Sequence, residues 1–418
     1  MKQLDVFMTG ELIGHLREDG GGAMAFAYSH SWLGRGDAVP LGSNLPLDEQ
    51  WHDGEAVTTY FDNLLPEGSV RDFVARALQV STGNVFALLE RFGGDTAGAL
   101  ALLPQGQLPS PKPRYLPMTH EAVHKCFASS RGIPLNLAGG EARIALAGAQ
   151  DKMAVFIAPT GALAIPLGDA PSSHIIKPSM DHRAYLPQTA INEALVMSLA
   201  AAIGLDVAPV RYAPDLDAVV IARYDRQWVG SHLQRLHQND LCQTLGIEPG
   251  RKYESEGGPA LAMCCTAVMQ HSSKPALDKK RVLEWAVFNV AVGNMDSHAK
   301  NLSLLTMGGH TRLAPFYDLV CTTVYKHLSR RFAFKIGGEN RPGWMMGRHW
   351  DRLAAELAVK PQLLRTIRLD ICLRIERELP KVVGALRAQV AHPEGLAMMG
   401  LVEAEIRRCT GQVVARTA

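Results

Sequence analysis

In the segment Gly293-Asn294-Met295-Asp296-Ser297-His298-Ala299-Lys300-Asn301, an Asp and an Asn stand in the pattern Asp-x4-Asn. This is the spacing of a protein-kinase catalytic loop. There the Asp accepts or orients the proton of the acceptor hydroxyl, and the Asn reaches a magnesium ion on the ATP phosphates. About one such match arises by chance in a chain of this size and ordinary composition. A polar loop capping the preceding helix is therefore the alternative reading.

Other segments stand around it in kinase order. Asp318 ends the short apolar run Leu313-Ala314-Pro315-Phe316-Tyr317, where kinases hold a metal-chelating Asp. Asn301 and Asp318 together would suffice for magnesium, which takes one or two carboxylates plus phosphate and water. An Asp in a turn is the alternative. Upstream, Lys177 closes the apolar stretch His174-Ile175-Ile176-Lys177, and Glu193 lies on a helix predicted to follow. A strand Lys oriented by a helix Glu is how kinases pair the ATP phosphates. A snorkelling surface Lys and a first-turn acid favoured by the helix dipole are the competing readings. Ala147, Gly148, Ala149, Gln150, Asp151 and Lys152 form the earliest candidate: small residues let backbone N–H groups approach phosphates, and Lys152 adds charge. One glycine does not make a GxGxxG motif, and a tight turn fits equally well.

The elements that must carry these residues can be read from periodicity. Met153 to Ala158 and Ala162 to Ile165 read as a hairpin around Pro159-Thr160-Gly161, and Ser173 to Lys177 as a strand ended by Pro178. Ile191, Ala194, Leu195, Leu199 and Ala202 recur at helical spacing, which predicts a helix from Thr189 to Ile203 stopped by Gly204. Val219 to Tyr224 is a further β-rich run. Arg281 to Val292 is apolar nearly all round and predicts a buried helix leading into the Asp-x4-Asn loop. Gln362 to Leu386 is amphipathic, with Pro380 expected to break or kink it. The first hundred residues are rich in Gly and Pro, with a turn at 62–68 before a helix from Ser69 to Leu78. Pro109, Pro111 and Pro113 mark a linker.

The expected order is an N-terminal accessory domain over 1–108, a connecting segment over 109–140, a β-rich lobe over 141–236 and a helical lobe over 237–418. The fold class is α+β, a protein-kinase-like bilobal fold with an all-helical C-lobe and a small β-rich N-terminal domain.

The chain of 418 residues, 47% apolar and 20% charged, has the composition of a soluble globular protein. A net charge of +2 does not announce nucleic-acid binding, and basic clusters such as Lys279-Lys280-Arg281 lack aromatic interleaving. No apolar run reaches the length of a membrane helix, and the N-terminus lacks a secretory pattern, which predicts a cytoplasmic protein without membrane partners. Seven cysteines at irregular spacing give neither a disulfide framework nor a zinc pattern; Cys264-Cys265 reads as helix core.

Taken together, Leu146-Ala-Gly-Ala-Gln-Asp-Lys152, His174-Ile-Ile-Lys-Pro178, Arg223-Tyr-Asp-Arg226, Leu236-His-Gln-Asn-Asp-Leu-Cys-Gln-Thr-Leu-Gly246, Lys252-Tyr-Glu-Ser-Glu-Gly-Gly-Pro259, the 293–301 segment and Ala314-Pro-Phe-Tyr-Asp318 resemble the signature blocks of HipA-like kinase toxins. The resemblance is specific from about 140 to 320 and looser on either side. It implies an ATP- and magnesium-dependent serine/threonine protein kinase that phosphorylates an aminoacyl-tRNA synthetase, typically the glutamyl enzyme, and so stalls translation. It also implies a HipB-like helix-turn-helix antitoxin and, through that complex, operator DNA at the nucleoid. Carried over by position, Asp296 is the catalytic base and Asn301 and Asp318 hold magnesium. Ala147 to Lys152, Lys177, Ala222, Arg223, Tyr224, His298, Ala299, Lys300, Asn301 and Tyr317 line the ATP site.

One departure stands out. HipA-like kinases commonly carry a serine ahead of the phosphate loop whose autophosphorylation silences the enzyme. Here Ala145 occupies that place, and no Ser or Thr lies between Arg131 and Lys152. Two rival readings remain: a small-molecule or lipid kinase of the same fold, and a nucleotide-binding co-repressor without useful phosphotransfer. Intact Asp296, Asn301, Asp318 and Lys177 speak against the second. A metal-dependent hydrolase built on His298 lacks a paired ligand such as His-x3-His.

Overall fold

The computed structural model describes residues 1–133, 141–144, 146–179 and 186–416. Ala145 and residues 134–140, the end of the expected connecting segment, lie outside them; the rest of that segment carries the strand Arg114–Pro117 and the helix His120–Ser130. The chain forms two compact units. The first comprises residues 1–177, 222–250 and 305–309; the second comprises 178–221, 251–304 and 310–418.

In the first unit, a five-stranded sheet runs His52–Asp53, Met24–Tyr28, Glu11–Glu18, Lys2–Met8, Leu100–Pro104, every neighbour antiparallel. Successive strand side chains face opposite sides. Leu4, Val6 and Met8 enter the main core with Ile13, Leu16 and Phe26, while Phe7 packs with Ala101 and Leu103 in a smaller cluster. The helices Gly54–Asp62, Gly68–Leu78 and Val85–Phe92 contribute Val57, Phe61, Val70, Val74, Phe86 and Leu89 to that main core. Only the second of these three was expected, one residue shorter at its start. The Gly- and Pro-rich texture of this region hid the other two.

The same unit carries antiparallel strands in the order His174–Pro178, Met153–Ile157, Leu163–Leu167, Arg114–Pro117. The expected hairpin is present, with Ile157 opposite Leu163. The strand expected over 173–177 runs His174–Pro178, with Pro178 as its last residue. Arg226–Val229 and His232–Arg235 add a two-stranded ribbon.

The second unit is dominated by helices: Thr189–Ala202, Leu261–His271, Pro275–Val292, Gly347–Glu356, Pro361–Arg387 and Pro393–Ala415. Thr189–Ala202 and the second half of Pro275–Val292 are buried almost all round, as their uninterrupted apolar sequence requires. Pro275 starts its helix six residues before the expected Arg281, at a first-turn position that suits a residue lacking N–H. Pro361–Arg387 runs unbroken through Pro380, so a break there is corrected. The lost backbone bond is offset by burial of Ile375, Leu379, Val383 and Leu386 on either side of it. The region after 237 is also not all helix: His237–Asp240, Ser303–Met307 and His310–Leu313 are strands, the last two joined by Gly308 and Gly309, both at positive φ. All seven cysteines are free and buried, including Cys264 and Cys265 within Leu261–His271. No described helix is long and apolar enough to cross a membrane.

Candidate active site

The Asp-x4-Asn loop begins where Pro275–Val292 ends. Gly293 caps that helix at φ 75°, and a Cβ there would lie 2.2 Å from Oγ1 of Thr323, so only glycine fits. Asn294 then donates its backbone N–H to the carbonyl of Asn289 (2.8 Å) and its side-chain N–H to Asn289 Oδ1 (2.7 Å). The Asn294 Oδ1 accepts from the backbone N–H of Asp296 at 3.2 Å. Thr322 staples the turn from outside: its Oγ1 accepts from Met295 N–H (2.8 Å) and donates to the Gly293 carbonyl (3.1 Å).

From Ala291 to Asn301 every residue is buried except Asp296, which is exposed. A loop whose neighbours are all packed away thus presents a single carboxylate. The loop closes on itself through Asn301, whose Nδ2 donates to the Asp296 carbonyl at 3.2 Å. With its nitrogen engaged as donor, the amide oxygen is the hard donor atom that Asn301 could offer a cation.

Asp318 has φ 58°, a left-handed conformation that costs energy for a residue with a Cβ and clusters at functional positions. Its neighbour Tyr317 donates its hydroxyl to the Lys300 carbonyl at 2.5 Å and shares a contact of 2.7 Å with Ser303 Oγ, which ties the Asp318 segment to the Asp-x4-Asn loop. Hard oxygen donors from Asn301 and Asp318 match what magnesium prefers. His298 is buried beneath the loop with its ring edge-on to Tyr253, centroids 5.0 Å apart. Burial, with Lys252 and Lys300 nearby, holds its pKa well below the usual histidine range against the opposing pull of Asp318. The buried His298 ring is therefore neutral at physiological pH. Ala299 and Lys300 are likewise buried.

Glu193 is wholly buried and lies beyond the first turn of Thr189–Ala202, so a role as an exposed first-turn acid does not hold. In the other unit, Lys177 is also buried, at 5% exposure, and is no snorkelling surface residue. A charge so enclosed demands compensation.

The 147–152 loop is built in that same unit. Gly148 has φ 107°, and its carbonyl accepts from Glu67 N–H at 3.1 Å. A Cβ on Gly148 would come within 2.7 Å of Lys152 Nζ, whose ammonium donates to the Ala147 carbonyl. The turn is therefore closed by its own lysine, around a position where a side chain would intrude. Ala149 is exposed and Gln150 partly so. Asp151 is buried and accepts from Arg131 Nε at 2.9 Å, an ion pair that anchors the loop.

Arg223 serves a different purpose from its neighbours. Its guanidinium is committed to Asp225 (2.6 and 2.9 Å), Ser172 Oγ (2.8 Å) and the Thr96 carbonyl (2.7 Å). Tyr224 donates its hydroxyl to Gln238, and Ala222 ends the strand Ala218–Ala222. Two features escaped the sequence: this buried Arg–Asp cluster, and Tyr253, whose hydroxyl donates to Oδ1 of Asp296. The second could have been suspected from the Gly257-Gly258-Pro259 turn that follows Tyr253, which marks a tightly shaped segment.

Residues 144–379 match the HipA-like C-terminal domain and residues 4–103 the HipA N-terminal domain. The chain is 40% identical over 374 residues to the putative kinase Y4mE of Sinorhizobium fredii, covering 87% of this chain and 88% of that protein. It is 29% identical to the serine/threonine-protein kinase toxin HipA of Shewanella oneidensis, covering 91% and 88%. A solved Shewanella oneidensis complex of HipA, HipB and operator DNA contains a chain that superposes with a TM-score of 0.83 at 27% identity, covering 99% of this chain and 96% of that one. With an exposed Asp on a helix-capped Asp-x4-Asn loop, an α+β kinase-like fold and an N-terminal accessory domain, this chain belongs to the HipA-like family of serine/threonine-protein kinase toxins.

Proposed function

We propose that the chain is the ATP- and magnesium-dependent kinase toxin of a toxin–antitoxin pair, with Asp296 as the base for the acceptor hydroxyl. The observation that carries this reading is the pairing of an exposed Asp296 with an Asn301 whose amide nitrogen closes the loop on the Asp296 carbonyl. Asn301 and Asp318 would hold magnesium. Ala147 to Lys152, Lys177, Glu193, the Ala222–Tyr224 backbone, His298 to Asn301 and Tyr317 would form or support the nucleotide site. ATP-magnesium supplies the transferable phosphoryl group and screens its charge. Asp296 orients the acceptor and takes up its proton. The helix cap at Gly293 and the Thr322 staple hold Asp296 in place, which is where a phosphoryl-transfer enzyme gains most of its rate.

The favoured acceptor is an aminoacyl-tRNA synthetase, the glutamyl enzyme first, whose modification would arrest translation. The Shewanella complex contains HipB and operator DNA, which supports a HipB-like antitoxin as the neutralising partner here and operon control through that complex in the cytoplasm.

The test is phosphotransfer from labelled ATP with magnesium into an extract of the host, comparing the native chain with Asp296→Asn. One discrete band, labelled by the native chain and absent with the variant, supports the reading and identifies the acceptor. Label appearing only in small molecules or lipids would reassign the enzyme to those acceptors.

A further inference from the structure

Tyr253 lies far from Asp296 in sequence, yet its hydroxyl donates a hydrogen bond to Oδ1 of that carboxylate. Several contacts fix the tyrosine. The Lys252 carbonyl accepts from Ala299 N–H at 3.4 Å, inside the catalytic loop. The ring meets His298 edge-on, with an interplanar angle of 90°. Behind it, Gly258 N–H donates to the Tyr253 carbonyl at 2.9 Å, and a Cβ on Gly258 would lie 2.0 Å from the Arg251 carbonyl oxygen. Glu254 is pinned by the backbone N–H of Lys335 at 2.7 Å and by its ammonium at 3.6 Å. A tyrosine held from both sides of the chain, and by a ring contact with the catalytic loop, is part of the site's framework.

We propose that Tyr253 is a positioning residue for phosphotransfer, acting through Asp296. The inference rests on the reading of Asp296 as the catalytic base. A carboxylate on a short side chain rotates about its last bond, and its two oxygens exchange places at little cost. A base needs one oxygen aimed at the acceptor proton within hydrogen-bond reach. By engaging Oδ1, the phenol fixes the plane of the carboxylate and with it the direction in which Oδ2 points. The bond is to a charged acceptor and belongs to the stronger class of hydrogen bonds. His298 contributes its neutral ring as the wall that sets the tilt of the phenol. The rival geometry is that the phenol sits where the acceptor hydroxyl should be and must be displaced.

The experiment compares the full-length native chain, Tyr253→Phe and Asp296→Asn, using ATP-magnesium and the acceptor protein identified by labelling. Tyr253→Phe keeps the ring and its contact with His298, and an unchanged unfolding midpoint verifies the fold. The expected result is a fall in kcat of about tenfold or more, with KM for ATP and for acceptor within about twofold. Unchanged kcat overturns the inference. So does a lowered acceptor KM, which would make Tyr253 a plug, and so does phosphate mapped to Tyr253 itself, which would make it an acceptor. If Asp296→Asn retains full activity, the reading of the base fails and takes this inference with it. If Asp296→Asn is inactive and Tyr253→Phe is normal, only the positioning role is lost.

Discussion

Arg226 places Nη2 2.8 Å from Oδ1 of Asp95, and both side chains are buried. Asp95 also receives Arg235 at 3.0 Å, Arg223 at 3.3 Å and the Ser172 hydroxyl at 2.6 Å, so one carboxylate gathers three guanidiniums. Asp225 supplies the second negative charge. The contact links a residue of the accessory-domain sequence to the Arg223-Tyr-Asp-Arg226 block of the kinase sequence, inside one compact unit. Burial alone would raise the Asp95 carboxyl, but the three arginines hold it far below the ordinary range.

Asp95→Asn should therefore leave the buried Arg223 and Arg226 sharing Asp225, and the partly exposed Arg235 without its carboxylate. We expect a loss of about 3–5 kcal/mol, read by denaturant unfolding, because breaking a buried charge cluster strands its remaining members. A loss below about 1 kcal/mol would show that water reaches the cluster.

Asp278 makes the N-terminal end of the catalytic-loop helix acid-sensitive. Burial opposes its ionisation, yet Arg312, Ser272, the Leu313 N–H and Arg281 bring it down to about 2. A lowered carboxyl stabilises the fold above its unfolded value, near pH 4, and that contribution fades as pH falls toward 2. We expect about 2 kcal/mol to be lost over that window. Asp278→Asn should be less stable at neutral pH and show a flatter acid limb in unfolding experiments.

Gly293→Ala tests the helix cap. A positive φ and a 2.2 Å approach to Thr323 leave no room for a methyl group. The expected cost is about 2–3 kcal/mol in thermal or denaturant unfolding, with phosphotransfer reduced as Asp296 shifts.

Asn301→Ala separates metal binding from base chemistry. The concentration of magnesium giving half-maximal phosphotransfer should rise about tenfold or more, with partial recovery at high magnesium. A uniform loss of rate at every magnesium concentration would assign Asn301 to loop closure alone.

What was legible in the sequence was local. The Asp-x4-Asn loop could be read because a buried helix, its glycine stop and the pattern itself are contiguous, and the closing bond from Asn301 to the Asp296 carbonyl spans one turn of chain. The strand bearing Lys177 and the helix bearing Glu193 declared themselves by apolar periodicity, and their burial removed the surface alternatives. The Asp95 cluster joins residues from distant segments, and no period or spacing records it. Tyr253 was visible only as a member of a block, because its partner lies across the fold. Pro380 misled for a related reason: a local rule about proline was outweighed by packing along the rest of its helix.

The buried cysteines have a consequence for following the molecule in motion. Cys321 and Cys409 lie under the helix cap, their sulfurs 3.4 and 3.3 Å from where a Gly293 side chain would begin. Burial pushes their thiols up to about 12 and about 11, so alkylating reagents meet protonated, shielded sulfur in the folded chain. Modification of these two thiols then requires local opening around the Gly293 cap, so their alkylation rate reports the stability of the segment that leads into Asp296.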